Sequence, residues 1–266
     1  MHYDITDSPA LPAADSSLLF FQGSTACGAV GLALAREAGA EGPVTGAEQV
    51  LRLAQAEPLL RAVEQWLRSP WDPAPCAARA LPGYRAVVRD PAVAPPGTTL
   101  HLPLAALLAP PPPVLRAPAL AWAGHAAEAL LGPVPAEALA RLEPQALVWL
   151  PAAFGAEWAV SLRDPEGRLP PCPARLDLAA QRLVVTAGAP PAIGAPDTAA
   201  AEPQAVLAQR VQVPLDHWLG WGRAEVPFHW PVPQPWAAEL RQGGAARARG
   251  ALMRLGQGCG LWLEAV

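Results

Sequence analysis

The sequence contains no lysine and no asparagine, and its only isoleucines are Ile5 and Ile193. Every basic side chain is therefore arginine. This is the signature of a GC-rich genome that disfavours AT-rich codons, and the surplus of alanine and the 34 prolines share that origin. Composition of this kind says little about function, and the prolines need not mark a proline-rich ligand. Cysteine is scarce too. Cys27, Cys76, Cys172 and Cys259 are dozens of residues apart and form no CxxC pair, which excludes a zinc ribbon or a thioredoxin-type redox motif. No export signal accompanies them, so reduced, mostly buried thiols are expected. Asp4, Asp7 and Asp15 stand where a secretory signal would carry positive charge. No apolar run approaches the ~18 residues of a membrane span, and the chain reads as cytoplasmic. A net charge of −4 with arginines spread along the chain provides no basic patch, which argues against a nucleic-acid partner.

What is present is apolar. At 266 residues and 52% hydrophobic content the chain suits one large domain or two smaller ones with an ample core. The clearest helical text is "TGAEQVLRLAQAEPLLRAVEQWLRSPW". Thr45 and Glu48 have capping-box spacing, and Val50, Leu51 and Leu53 begin an apolar face that restarts after Pro58 as Leu59, Leu60, Val63, Trp66 and Leu67. Pro58 lacks a backbone donor, so it kinks the helix or opens a second one. Trp66 on that face is expected in the core. "GTTLHLPL" alternates Leu100, Leu102 and Leu104 as a half-buried strand, with His101 pointing outward. Pro110 to Pro113 is a stiff polyproline connector.

Two Ala/Leu-rich helices are predicted next, in "PALAWAGHAAEALLG" and "PAEALARLEP". "ALVWLP", "EWAVSLRDPEGRLPP" and "ARLDLAAQRLVVTAG" then read as short strands, with a type I turn at "DPEG". Residues 186–204 are rich in Ala, Pro and Gly and make the best linker. The remaining sixty-odd residues are strand-like and dense in tryptophan, at Trp218, Trp221, Trp230, Trp236 and Trp262. So small a β unit is a marginal core and wants a partner. Within it "PFHWPVPQPW" puts Pro227, Pro231, Pro233 and Pro235 on edge strands or a loop while Phe228, Trp230 and Trp236 pack inward; a partner-recognition segment is the competing reading. The organisation expected is thus α+β: a poorly defined segment 1–44, a mixed helix/strand domain 45–185, the linker 186–204 and a small all-β module 205–266.

Chemistry is hard to find. There is no GxSxG and no cysteine-protease context. Asp216 and His217 are adjacent and on a strand could not face one site; His217 and His229 have no metal-ligand neighbours at useful spacing. No catalytic, metal or cofactor residue is assigned. The alternating glycines of "LGQGCGLW", Gly256, Gly258 and Gly260, suggest a phosphate loop, but six residues after Gly260 cannot form the helix such a loop requires. They suit a turn in a hairpin, with Leu261 and Leu263 on one face and Trp262 on the other.

Three stretches together resemble the cytoplasmic-ring proteins of bacterial type III secretion systems, the SctQ/YscQ/HrcQ group. "EPLLRAVEQWLRSPWDPAP" is similar to their N-terminal helix, which ends in a Trp-Leu pair, here Trp66 and Leu67. "ALVWLPAAFGAEWAVSLRDPEG" is similar to their middle region. "AAELRQGGAARARGALMRLGQGCGLWLE" resembles the closing half of their surface-presentation-of-antigens (SPOA) module, with Leu240, Gly243, Gly244, Arg249, Gly250, Leu252, Gly256, Gly258, Leu261 and Leu263 on the matching positions. The chain has room for one such module where longer members carry two, and its "RAEVPFHWPVPQPW" is Pro- and Trp-rich where they are Leu-rich. The resemblance implies a non-enzymatic scaffold of the sorting platform. Its partners would be a second SPOA-type module, a stator that regulates the export ATPase, and the secretion apparatus at the inner membrane. It also implies homo- or hetero-oligomers. Two other readings compete: a needle- or hook-length regulator, and an enzyme or ligand binder whose site leaves no trace in the sequence.

Overall fold

The computed structural model describes residues 17–37, 39–40, 42–77, 81, 83–109, 111–115, 119–140, 142–154, 157–185, 202–221, 227–232, 235–256 and 258–266. The chain divides into two units, Met1–Ala123 and Gly124–Val266. The boundaries expected from composition fall elsewhere, and the reason lies in the strand pairing described below.

In the first unit, β1 (Leu18–Thr25) and β2 (Gly28–Ala35) form a hairpin, so residues assigned from the sequence to an undefined N-terminal segment belong to a sheet. Two helices follow, α1 (Gly46–Gln55) and α2 (Glu57–Leu67). Then come β3 (Ala74–Pro75), β4 (Tyr84–Val88), β5 (Thr99–Leu102), the one-turn α3 (Leu104–Leu107) and β6 (Leu120–Trp122). The antiparallel sheet runs β3-β1-β2-β5-β4-β6. Its core joins Phe21, Leu32, Leu34, Leu100 and Leu102 from the strands with Leu59, Val63, Trp66 and Leu67 from α2. Burying each such side chain stabilises by about 1.5–3 kcal/mol. Trp66 meets Trp122 edge to face, centroids 6.4 Å apart, and donates its indole N–H to the Ala109 carbonyl.

Pro58 sits in the first turn of α2, where a missing N–H is harmless, so the helical text is two helices rather than one kinked one. Thr45 caps α1 as its spacing predicts, accepting from the Glu48 N–H at 3.2 Å. The Glu48 carboxylate goes to Arg36. His101 departs from expectation: it is buried, because β5 lies inside the sheet between β2 and β4 and both its faces are covered. Leu104 leaves the strand pattern altogether and opens α3.

The second unit holds β7 (Gly124–Pro133), the one-turn α4 (Ala136–Leu139), β8 (Leu147–Phe154), β9 (Glu157–Arg163), β10 (Cys172–Asp177) and β11 (Arg182–Val185). It continues through β12 (Gln204–Leu207), β13 (Val211–Pro214), the one-turn α5 (Leu215–Trp218), β14 (Phe228–Pro231), β15 (Ala237–Gln242), β16 (Ala245–Leu255) and β17 (Gly258–Ala265). One sheet runs β14-β11-β10-β9-β7-β12-β15-β16-β17-β8, and β13 pairs with β7 beyond the end of β12. The sheet curls, since β8 at its far end also approaches β7 and β9.

This topology dissolves the expected module of residues 205–266. β12 is hydrogen-bonded to β7, and β17 to β8, so the C-terminal strands share a sheet with residues placed by the sequence in another domain. Most of the expected linker, residues 186–201, lies outside the described residues. The helix expected over "PALAWAGHAAEALLG" is instead β6 and β7. Alanine and leucine favour helices, but here Ala127, Ala129 and Leu131 alternate as buried residues between less buried neighbours, and pairing on both edges overrides propensity. "PAEALARLEP" supplies only the single turn of α4.

Candidate interaction surface

At the β8 end of the large sheet the two faces differ in kind. Val148, Leu150, Leu252, Cys259, Leu261 and Leu263 point into the core and are buried. The opposite face carries two cross-strand rows: Ala251, Trp262 and Leu147 lie side by side on β16, β17 and β8, and Met253, Gly260 and Trp149 form the next row. Four large apolar side chains in these rows stay open to solvent, Leu147 44%, Trp149 42%, Met253 45% and Trp262 39% exposed. An apolar plate formed by three adjacent strands is a different object from scattered surface residues.

Glycines make the plate flat. A methyl group at Gly258 would overlap the benzene ring of Trp149, so the indole lies directly on the β17 backbone, and Leu147 and Leu255 cover Gly260 in the same way. At Gly250 the register slips by one residue, and a methyl there would collide with the Trp262 carbonyl oxygen. The Arg249-Gly250 pair thus marks a bulge. Gly256 turns the hairpin with φ 63°, as "LGQGCGLW" predicts for a turn between strands.

The residues singled out in the sequence do not gather at one place. Trp66 and Leu67 belong to the core of the first unit. Trp218, Trp236, Leu240, Leu252, Leu261 and Leu263 are core residues of the second. Trp221 and Trp230 are half-buried. Trp230 lies on β14, an end strand of the sheet, with Phe228 tilted against it; of the four prolines in that text, Pro233 lies outside the described residues. Gly250, against the Trp262 backbone, and Gly258, under the Trp149 ring, border the plate with Trp262, and Arg249 pairs with Glu239 beyond it. Leu147 and Trp149 were missed as site residues, although the period-2 alternation of "ALVWLP" already put them on one face.

One step along β16 the apolar rows give way to a charged ladder. Glu239 is buried and accepts from Arg241 Nε and Nη2 at 3.0 and 2.9 Å and from Arg249 Nε at 3.1 Å, while Arg241 Nη1 also reaches Glu128 at 2.8 Å. The Arg249 hydrogen bond, with help from Arg241 and against the opposing effect of burial, holds the Glu239 carboxyl below its usual range. These four charges satisfy one another, and a small cleft beside them is lined by Glu128, Arg163, Glu202, Gln204 and Arg241.

Other buried polar groups lie elsewhere in the second unit. Asp164 is 1% exposed. Its carboxylate accepts the N–H groups of Glu166, Arg168 and Leu169 at 3.1, 2.8 and 3.0 Å, and His125 Nε2 lies 3.1 Å away. Burial alone would raise this carboxyl, but the hydrogen bonds outweigh it and hold it below the ordinary value. His125 packs edge to face on Trp218, which donates to the Pro170 carbonyl at 2.8 Å and closes the far end of the same loop. Burial pushes the Cys172 thiol up to about 12 and raises Cys259 as well, leaving both protonated at neutral pH and poor nucleophiles. Asp216 is buried and its carboxyl raised by that burial, while the neighbouring His217 ring packs on Phe228 at 5.5 Å. Among the described residues no group of three His, Cys, Asp or Glu side chains is placed to hold a metal ion, and no helix is long and apolar enough to cross a membrane.

No family model matches this chain, and no curated protein or solved structure matches it either.

Proposed function

We propose that the chain is a non-enzymatic scaffold component of the cytoplasmic ring of a bacterial type III secretion system and works through protein–protein contact. The observation that carries this reading is the plate of Leu147, Trp149, Met253 and Trp262, which lies on the strands whose sequences resemble the middle region and the closing half of the SPOA module. Exposed aromatic and Met side chains on a rigid sheet are the composition that protein interfaces favour. The partner strands that such a module needs are here supplied by β7 and β8 of the same chain. The surface left for a stator or another ring protein is therefore the outer face of the sheet.

The test is co-purification from the native cell. Met253→Glu combined with Trp262→Glu places two charges on the plate, at residues already open to water, so the melting temperature should stay close to wild type while secretion components are lost from the pull-down. If the wild-type chain brings down no component of a secretion apparatus, and its deletion leaves protein export unchanged, the scaffold assignment fails.

A further inference from the structure

Helix α1 is built inside out. Its neighbour α2 follows the ordinary rule, with Leu59, Ala62, Val63, Trp66 and Leu67 buried and Glu57, Arg61, Gln65 and Arg68 outward. In α1 no residue is buried. Its least exposed side chains are Glu48, Gln49, Arg52 and Leu53, and its exposed stripe is Ala47, Val50, Leu51 and Ala54, at helical spacing i, i+3, i+4 and i+7. Val50 is 71% and Leu51 56% exposed. What ties the helix down is polar: Glu48 and Arg36 form a two-point ion pair, Nε–Oε1 2.8 Å and Nη2–Oε2 3.0 Å, with both side chains largely shielded. An ion pair on the inner side and an apolar stripe on the outer side leave α1 with its contact surface turned away from its own sheet.

We infer that α1 docks on the α1 of a second copy of this chain, antiparallel across a two-fold axis between Val50 and Leu51. The stripe reads the same from either end, small-large-large-small, so in that arrangement each alanine faces an alanine of the partner copy and the Val-Leu pair faces its own image, the requirement of an isologous contact. No ionised side chain lies within it. The nearest charges lie beside it: Glu48 is paired with Arg36, and Arg52 donates to the neutral Gln55 side chain. Nothing lies within 4 Å of the position a Gly46 side chain would take, which leaves room for a close approach, and antiparallel pairing opposes the helix dipoles. Ten residues of helix are only about 15 Å long, well under what a stable interface of ~1,200 Å² needs. The contact is therefore weak alone, and on the ring assignment proposed above it would act among copies held side by side.

Sedimentation of the full chain over a wide concentration range tests this. The wild type should show concentration-dependent dimerisation, and Leu51→Glu should weaken it by about ten- to a hundredfold, because the symmetry repeats the lost burial. Leu51→Met should retain it. The Met253→Glu/Trp262→Glu variant should dimerise like wild type, which separates this contact from the plate. In a Cys27→Ser/Cys76→Ser background, Val50→Cys should cross-link copies under mild oxidation and Gln55→Cys, away from the axis, should not. A chain that stays monomeric, dimerisation indifferent to Leu51→Glu, or a large fall in melting temperature on Leu51→Glu, which would mean the stripe is covered by the chain itself, each overturns the inference. So does cross-linking through residue 55 in preference to 50.

Discussion

Removing the Asp164 carboxylate should destabilise the second unit more than any other single polar substitution at its surface loops. Asp164→Ala strands three backbone donors and the His125 ring. Glu166 and Arg168 are exposed and their N–H groups can turn to water, whereas the Leu169 N–H and the His125 side of the carboxylate are enclosed. An enclosed donor left without an acceptor costs about 1–3 kcal/mol. Two of them give roughly 2–6 kcal/mol, a large part of the ~5–15 kcal/mol that holds a domain together. Asp164→Asn keeps one carbonyl oxygen for Arg168 and Leu169 but turns an NH₂ toward the remaining donors, so its loss should be smaller, about 1–3 kcal/mol. The assay is urea unfolding at pH 7, repeated down to pH 3. Because the folded carboxyl is held below its unfolded value of about 3.9, its contribution is fully present above that value and disappears as pH falls through the lowered folded pKa. Wild type and Asp164→Asn should therefore differ at pH 7 and converge at the acid end. Equal stability of wild type and Asp164→Ala at pH 7, within about 0.5 kcal/mol, would refute the account of this loop.

Two further outcomes bear on the sheet. Gly250→Ala puts a methyl against the Trp262 carbonyl, a backbone atom that cannot swing aside, and should cost at least the upper end of the ~1–3 kcal/mol typical of overpacking; a melting temperature equal to wild type would contradict the bulge. A fragment of residues 205–266 lacks β7 and β8 and should show no cooperative unfolding by circular dichroism, while co-expression with residues 124–185 should restore it; an independently folded fragment would contradict the pairing of β12 with β7 and β17 with β8.

Local rules were legible where one segment decides its own state. Thr45 as a cap, Pro58 as a break in the helical text, the "DPEG" reversal, in which the Gly167 N–H donates to the Asp164 carbonyl at 2.9 Å, and Leu261 and Leu263 on the face opposite Trp262 all follow from short-range geometry. What a sequence hides is which strands become neighbours. Nothing in "GLWLEAV" names β8 as its partner, and without that partnership the 205–266 text looks like a free-standing module. The same gap explains β7: its Ala-rich text is helical by propensity, and only the edges offered by β9, β12 and β13 make it a strand. The plate was legible only in part: alternation set Trp262 on the face opposite Leu261 and Leu263 without saying which face is the outer one, and the half on β8 needed the pairing. His101 failed for a related reason, because alternation tells which face a residue takes and not whether that face is covered. The inverted α1 was hidden likewise: its apolar stripe was plain, but amphipathicity does not say which way a helix is turned.

The pairing of β8 with β17 also sets an order of events during synthesis. Leu147 leaves the ribosome more than a hundred residues before its neighbour Trp262. At roughly 5–20 residues per second β8 waits several seconds or longer with its apolar text unpaired. The sheet cannot close until the β16–β17 hairpin arrives, so a newly made chain is most vulnerable to aggregation and to chaperone capture in that interval, with the β8 half of the apolar plate as the exposed region.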